Sequence, residues 1–186
     1  MKRLLAVAAI AVFGLMAVSS YSKDEKSTMV GGQSMFPSKD IVDNAVNSAD
    51  HTTLVAAVKA AGLVSTLKGP GPFTVFAPTN EAFAKLPQGT VDNLLKPENH
   101  AMLVKVLTYH VVSGRISTAE LRKQIRAGNG HATLKTASGG TLTAMMNGPD
   151  NITIRDEKGD VANLSISNVY QSNGVIQVID TVLLPN

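Results

Sequence analysis

The chain of 186 residues has no cysteine and no tryptophan. Without cysteine there can be no disulfide, thiolate zinc site, iron–sulfur cluster, Cys nucleophile or lipid attached through an N-terminal Cys. Charged residues are only 17% of the total, which excludes an acidic disordered tail or a charged solenoid, while 44% apolar residues suffice for a core. Net charge is also scarce once its location is considered. The formal +3 comes from 17 Lys and Arg against 14 Asp and Glu, and two of the basic residues open the chain as Met1-Lys2-Arg3. An apolar run from Leu4 to Val18 follows, broken only by Gly14, and then the small-residue patterns Ala17-Val18-Ser19 and Ser20-Tyr21-Ser22. This is the layout of a secretory signal peptide over residues 1–22, cleaved after Ser19 or Ser22. The run is short for a membrane span, and no second apolar run of 18 residues follows. Removing it leaves 15 basic and 14 acidic side chains, a net +1 that gives a nucleic-acid partner no electrostatic basis. The expected product is exported, periplasmic or extracellular, and does not span a membrane after cleavage.

Residues 23–37 have little periodicity and read as a flexible N-terminal extension, leaving 38–186 as a single domain. Ile41, Val42, Ala45 and Val46 mark an amphipathic helix with Ser38 as its N-cap, and Asp50 is placed to cap a second helix that buries Leu54, Val55 and Val58 and ends at Gly62. Phe73 to Phe76 alternates like a strand after the Gly69-Pro-Gly-Pro72 breaker. Short helices are expected after Thr79-Asn80 and Thr90. Another follows Pro97 with Leu103, Val104 and Leu107 inward, and a capping box at Ser117 to Glu120 opens one that stops at Gly128. The last third alternates in short runs with turns at Gly139-Gly140, Lys158-Gly159 and Asn173-Gly174, and Val175 to Leu184 is apolar on nearly both faces, as in a core strand. Helices first and strands last indicate an α+β fold.

The chemistry-bearing residues form no recognisable catalytic pattern. The four histidines, 51, 100, 110 and 131, include no H-x-x-x-H or H-x-H pair, so no metal or cofactor site is expected. His51 and His100 read as surface residues. His110 reads either as a general base or binding contact, or as a buried residue satisfied by a nearby carbonyl or hydroxyl. There is no G-x-S-x-G elbow and no Gly-Lys-Ser/Thr phosphate loop. Asp156, Glu157 and Asp160 lack the alternating oxygens of a calcium loop and read as a solvated turn. Arg122, Lys123 and Arg126 read as a solvated helix face.

Three segments together resemble the fasciclin-like domain family: Thr74-Val-Phe-Ala-Pro-Thr-Asn-Glu-Ala-Phe83, the pair Tyr109-His110, and Asn173-Gly-Val-Ile-Gln-Val-Ile-Asp-Thr-Val-Leu-Leu-Pro185. The resemblance spans about residues 39 to 185 and has the flavour of a short bacterial exported member. It implies a wedge of antiparallel strands with helices packed on it, and a non-catalytic adhesion or matrix-interaction role. Under it, Thr74, Phe76, Pro78, Thr79, Asn80, Phe83, Asn173, Gly174 and Asp180 are framework residues of the two boxes, and His110 would hydrogen-bond near the first box. Recognition of a protein, glycan or lipid partner at a cell surface would fall on Tyr109, His110, Val169 and Tyr170. Two positions depart from the family pattern. Asn168 stands where integrin-binding relatives carry an acidic residue, which argues against integrin as partner, and Gln177 stands where many carry His.

Three functions therefore compete. The first is an exported, non-catalytic adhesion module. The second is a periplasmic binder of a small molecule, lipid or polysaccharide, which a concave apolar pocket would favour. The third is a hydrolase built on His110, which needs a hydroxyl or carboxylate beside that ring.

Overall fold

The computed structural model describes residues 26–186, so the expected signal peptide over 1–22 lies outside the described residues. From Thr28 the chain is already part of the fold, which corrects the expectation of a flexible extension through residue 37. Strands β1 (Thr28–Val30) and β2 (Gln33–Met35) form a hairpin whose turn needs the positive φ of Gly31 and Gly32. Val30 and Met35 are each 1% exposed and lie in the same core as Ile41, Leu54 and Ile176. Two inward residues in six positions are too few to show a period, and that hid the hairpin. Asn44 holds its end, donating to the Phe36 carbonyl at 2.8 Å and accepting the Phe36 amide at 3.0 Å.

Helix α1 (Ile41–Ala45) is capped by Asp40, whose side chain accepts the Asp43 amide at 2.8 Å, and not by Ser38. Asp40 is the extended residue immediately before the first helical turn, which is what an N-cap requires. A 3₁₀ turn, Ala49–His51, leads into α2 (Thr52–Ala60), and Asp50 lies inside that turn instead of capping the helix. Then follow α3 (Val64–Leu67), β3 (Phe73–Pro78), α4 (Asn80–Ala84), α5 (Thr90–Leu94), α6 (His100–Tyr109) and β4 (Val111–Ser113). Helix α7 (Thr118–Ala127) is capped by Ser117, which accepts the Glu120 amide at 3.2 Å. Strands β5 (His131–Lys135), β6 (Thr141–Asn147), β7 (Asn151–Arg155), β8 (Val161–Gln171) and β9 (Gly174–Ile179) complete the chain.

The main sheet runs β4-β3-β9-β8-β7-β6-β5. Its neighbours are antiparallel except β3 and β9, which pair in parallel from Phe73↔Gly174 to Pro78↔Ile179. The expected α+β wedge of antiparallel strands is present with one parallel pairing: the two family boxes sit on the adjacent strands β3 and β9. A bridge between Val112 and Thr136, with Ala137 donating to the Val111 carbonyl at 2.8 Å, brings the outer strands together and nearly closes the sheet. One core lies under α1, α2 and α6, and the other lies inside the curled sheet beneath Leu121 and Ile125 of α7. Ile176 and Val178 of β9 feed the first and Ile179 the second, which is why this strand is apolar on both faces.

Candidate functional site

The first box is a framework built from polar side chains spent on backbone groups. Thr74 Oγ1 donates to the Gly114 carbonyl at 2.6 Å and accepts the Ile116 amide at 2.8 Å. Thr79 caps α4, and Pro78 and Phe76 are buried in β3. Asn80 accepts the Thr53 amide at 3.0 Å and donates to the Ala49 carbonyl at 2.8 Å. A box residue 27 positions away therefore supplies the cap of α2 that Asp50 was expected to provide. Phe83 packs against the helix-side core.

In the second box, Asn173 accepts the Ile41 amide at 3.0 Å and donates to the carbonyls of Leu67 and Gly69 at 2.8 and 2.9 Å. It joins α1 and α3 to the β8–β9 turn. A Cβ on Gly174 would stand 2.3 Å from the Phe73 carbonyl oxygen, so only glycine lets the two box strands approach. Asp180 accepts the Asn163 amide at 2.8 Å and its side-chain amide at 2.9 Å. Burial alone would raise the Asp180 carboxyl, but these bonds and nearby Lys85 hold it below its ordinary value.

Tyr109 and His110 end α6 and are both enclosed. The Tyr109 hydroxyl donates to the Thr141 carbonyl at 2.7 Å and accepts the Glu157 amide at 3.1 Å. Burial pushes the phenol up to about 12. His110 Nδ1 lies 2.8 Å from the Val106 carbonyl, and Nε2 accepts the Leu183 amide at 3.0 Å. These partners require the neutral Nδ1–H tautomer. The backbone amide of His110 bonds to Leu107 instead, so the ring serves the carbonyl that the last helical turn leaves open. Burial drives the imidazole down to about 4. The ring reaches the end of the second box and not the first, where only the His110 carbonyl takes part, accepting the Phe76 amide at 2.9 Å. Both ring nitrogens are committed to backbone groups, so the hydroxyl or carboxylate needed for a hydrolase on His110 is not there.

His51 is 1% exposed and not a surface residue. Ser48 Oγ lies 2.9 Å from its Nδ1, a nucleophile–base spacing, yet both side chains are sealed. A Cβ on Gly31 would sit 2.4 Å from that same Oγ, because the β1–β2 turn covers it and no substrate can reach it. His51 Nε2 makes no well-formed hydrogen bond, the Ala77 backbone being the group beside it, and burial lowers its basicity. Asp156 is likewise buried, while Glu157 and Asp160 of the same turn are exposed as expected. Asp156 accepts amides of Lys158, Asp160 and Leu184 at 3.0, 2.9 and 2.8 Å, which folds the β7–β8 loop around it and ties it to the chain end. Asp to amide two residues on is an Asx turn, a signal present in the sequence. Among the described residues, no group of three or more His, Asp or Glu could hold a metal ion.

Between α1, α2 and α3 on one side and β3, β9 and the end of α6 on the other lies an apolar cavity of about 270 Å³. Val42, Val46, Val55, Val58 and Leu63 line it on the helix side, and Phe73, Val75 and Ile176 on the sheet side. Lys59, Lys68 and Asp43 also line it. Nothing in the sequence signals this cavity, because each apolar lining residue separately reads as core.

The Fasciclin domain model matches residues 49–185. The chain belongs to the fasciclin domain family. It is 42% identical to a Synechocystis sp. protein called sll1483, over 98% of this chain and 96% of that protein. It is 37% identical to the cell surface glycolipoprotein MPB83 of Mycobacterium bovis, over 66% of this chain and 48% of that one. A solved FAS1 domain pair from the insect cell adhesion molecule fasciclin I aligns with a TM-score of 0.48 at 23% identity, covering 69% of this chain and 40% of that one.

In this fasciclin domain the four residues expected at a partner surface separate. Tyr109, His110 and Val169 are 0, 3 and 0% exposed and cannot meet a partner without unfolding, because their side chains complete the two cores and the bonds described above. Tyr170, the next residue of β8, points the other way and is 41% exposed. One and two positions further along, the carbonyls of Gln171 and Ser172 each accept from the Arg115 guanidinium at 3.0 Å. Asn168 has a positive φ of 58° and is tied to α7, accepting the Thr118 amide at 2.8 Å and donating to its hydroxyl at 2.7 Å. Gln177 is fully buried and bonds to Asn168 and to the Ile116 carbonyl, so it is a framework residue as well. Among the described residues no helix is long and apolar enough to cross a membrane.

Proposed function

We propose that this fasciclin domain is an exported, non-catalytic interaction module of the adhesion type. The observation that carries the reading is the sealed Tyr109–His110 pair. The residues with the most chemical potential are consumed in holding the fold, which leaves surface recognition as the work available to it. The exposed Tyr170 offers an aromatic ring with a polar tip, and the exposed Arg115 is bonded to the carbonyls of the two residues that follow Tyr170; both are residue types that anchor interfaces. The name of the mycobacterial relative, a cell surface glycolipoprotein, supports this reading. So does the signal-peptide layout of residues 1–22.

Export is tested by sequencing the N-terminus of the protein recovered from the cell envelope and the medium. The expected first residue is Ser20 or Lys23, and recovery only of the chain beginning at Met1 from the cytoplasm would contradict export. Recognition is tested by retention of producing cells on a surface coated with the purified protein. A second reading, a binder of small apolar molecules, is favoured by the cavity under α1 and α2.

A further inference from the structure

Its walls set what the cavity accepts. The Thr108 and His110 side chains that line it are already engaged: Thr108 Oγ1 donates to the Val104 carbonyl at 2.7 Å, and both ring nitrogens of His110 bond elsewhere. The body of a sugar, peptide or nucleotide placed among the valines and Phe73 would lose its water hydrogen bonds and recover none from these two, which disfavours all three. A hydrocarbon loses nothing. On the scale of an apolar cavity of about 150 Å³ that admits benzene, this one holds roughly ten carbon atoms.

The charged side chains lining it differ in how far they are committed. Lys68 is bridged to Asp40 at 3.0 Å and also to Asp43, so these three charges largely satisfy one another. Lys59 extends from the last turn of α2, is exposed, and has no carboxylate within ion-pairing distance among the described residues. Val46, at the same cavity, is 44% exposed, so the apolar lining continues to the surface.

Resting on the second reading above, we infer that the cavity binds a medium-length alkyl chain with a carboxylate head, the chain lying among Val42, Val55, Val58 and Phe73 and the carboxylate meeting Lys59. A neutral head would forgo the ammonium, and an apolar body of well over about ten carbon atoms would exceed the volume.

Decanoate and 1-decanol, titrated into the purified protein by calorimetry at neutral pH, test this. Decanoate is expected to bind with one site, and decanol about tenfold more weakly. Lys59→Glu should reduce decanoate affinity about tenfold or more and leave decanol unchanged. Val58→Phe, which fills the cavity, should abolish binding of both. If circular dichroism shows that variant unfolded, Ala45→Leu fills the cavity from the α1 side instead. Equal affinities for decanoate and decanol, or indifference to Lys59→Glu, would overturn the carboxylate assignment while the apolar reading stands. Failure of both ligands to bind, or binding that survives the filled cavity, would overturn both.

Discussion

His110 Nε2 accepts the Leu183 amide at 3.0 Å, so one ring ends α6 and also pins the segment that follows β9. With Nδ1 held by the Val106 carbonyl, a second ring proton would point at another donor. Neutrality at this histidine is a condition of the fold.

Stability should therefore fall in acid. The His110 value, lowered mainly by burial from 6.5 to about 4, means that the unfolded chain binds the proton first as pH drops. The contribution is complete well above pH 6.5 and is lost as pH falls toward 4, on the order of 2–3 kcal/mol of it by pH 4.5. His51, also lowered by burial, acts in the same direction. Denaturant melts between pH 7 and 4.5 are expected to show this decline. His110→Ala should be less stable at pH 7 by about 3 kcal/mol, since it strands the Leu183 amide and the Val106 carbonyl, and should show a shallower decline. Equal slopes in the two proteins would refute the assignment.

Met35→Ala should cost about 2–5 kcal/mol, the range for emptying a buried long side chain. Met29→Ala, at a residue 58% exposed in the partner strand of the same hairpin, should change stability by less than about 0.5 kcal/mol. Equal effects would mean that the hairpin is not docked.

Tyr109→Phe keeps the ring and removes only the hydroxyl that joins β6 to the β7–β8 loop. The expected loss is about 1–3 kcal/mol, read from urea midpoints at unchanged slope. Amide exchange should rise most at Glu157, whose amide loses its acceptor. A uniform rise across the protein would point to a global effect instead.

How far the sequence disclosed the molecule depended on whether a residue's partner was near or far along the chain. The Thr79 and Ser117 caps, the positive φ of Gly62 and the Asn173-Gly174 turn depend on neighbours within a few positions, and all were legible. Asn80 capping α2 and Asn173 bonding residues more than a hundred positions away are products of the fold. The parallel pairing of β3 and β9 escaped for the same reason, since strands of either orientation share the same alternation. His51 and Asp156 are polar yet buried, each with hydrogen bonding of its own, so polarity does not mean exposure at either position. At the candidate site, Tyr170 differs from Val169 only by the alternation of a strand. Which of the two faces water was set by β8 lying over β9, where Val169 pairs with Ile176.

The central claim is that this fasciclin domain works through its surface while the Tyr109–His110 pair holds the fold. Retention of producing cells on surfaces coated with wild-type protein, Tyr170→Ala and Tyr109→Phe, all verified as folded at the assay temperature, tests it most directly. Retention above an uncoated surface is expected for wild type and for Tyr109→Phe, with a severalfold loss for Tyr170→Ala at unchanged melting temperature. Retention lost in Tyr109→Phe but intact in Tyr170→Ala, or no retention by the wild-type protein, would contradict the account.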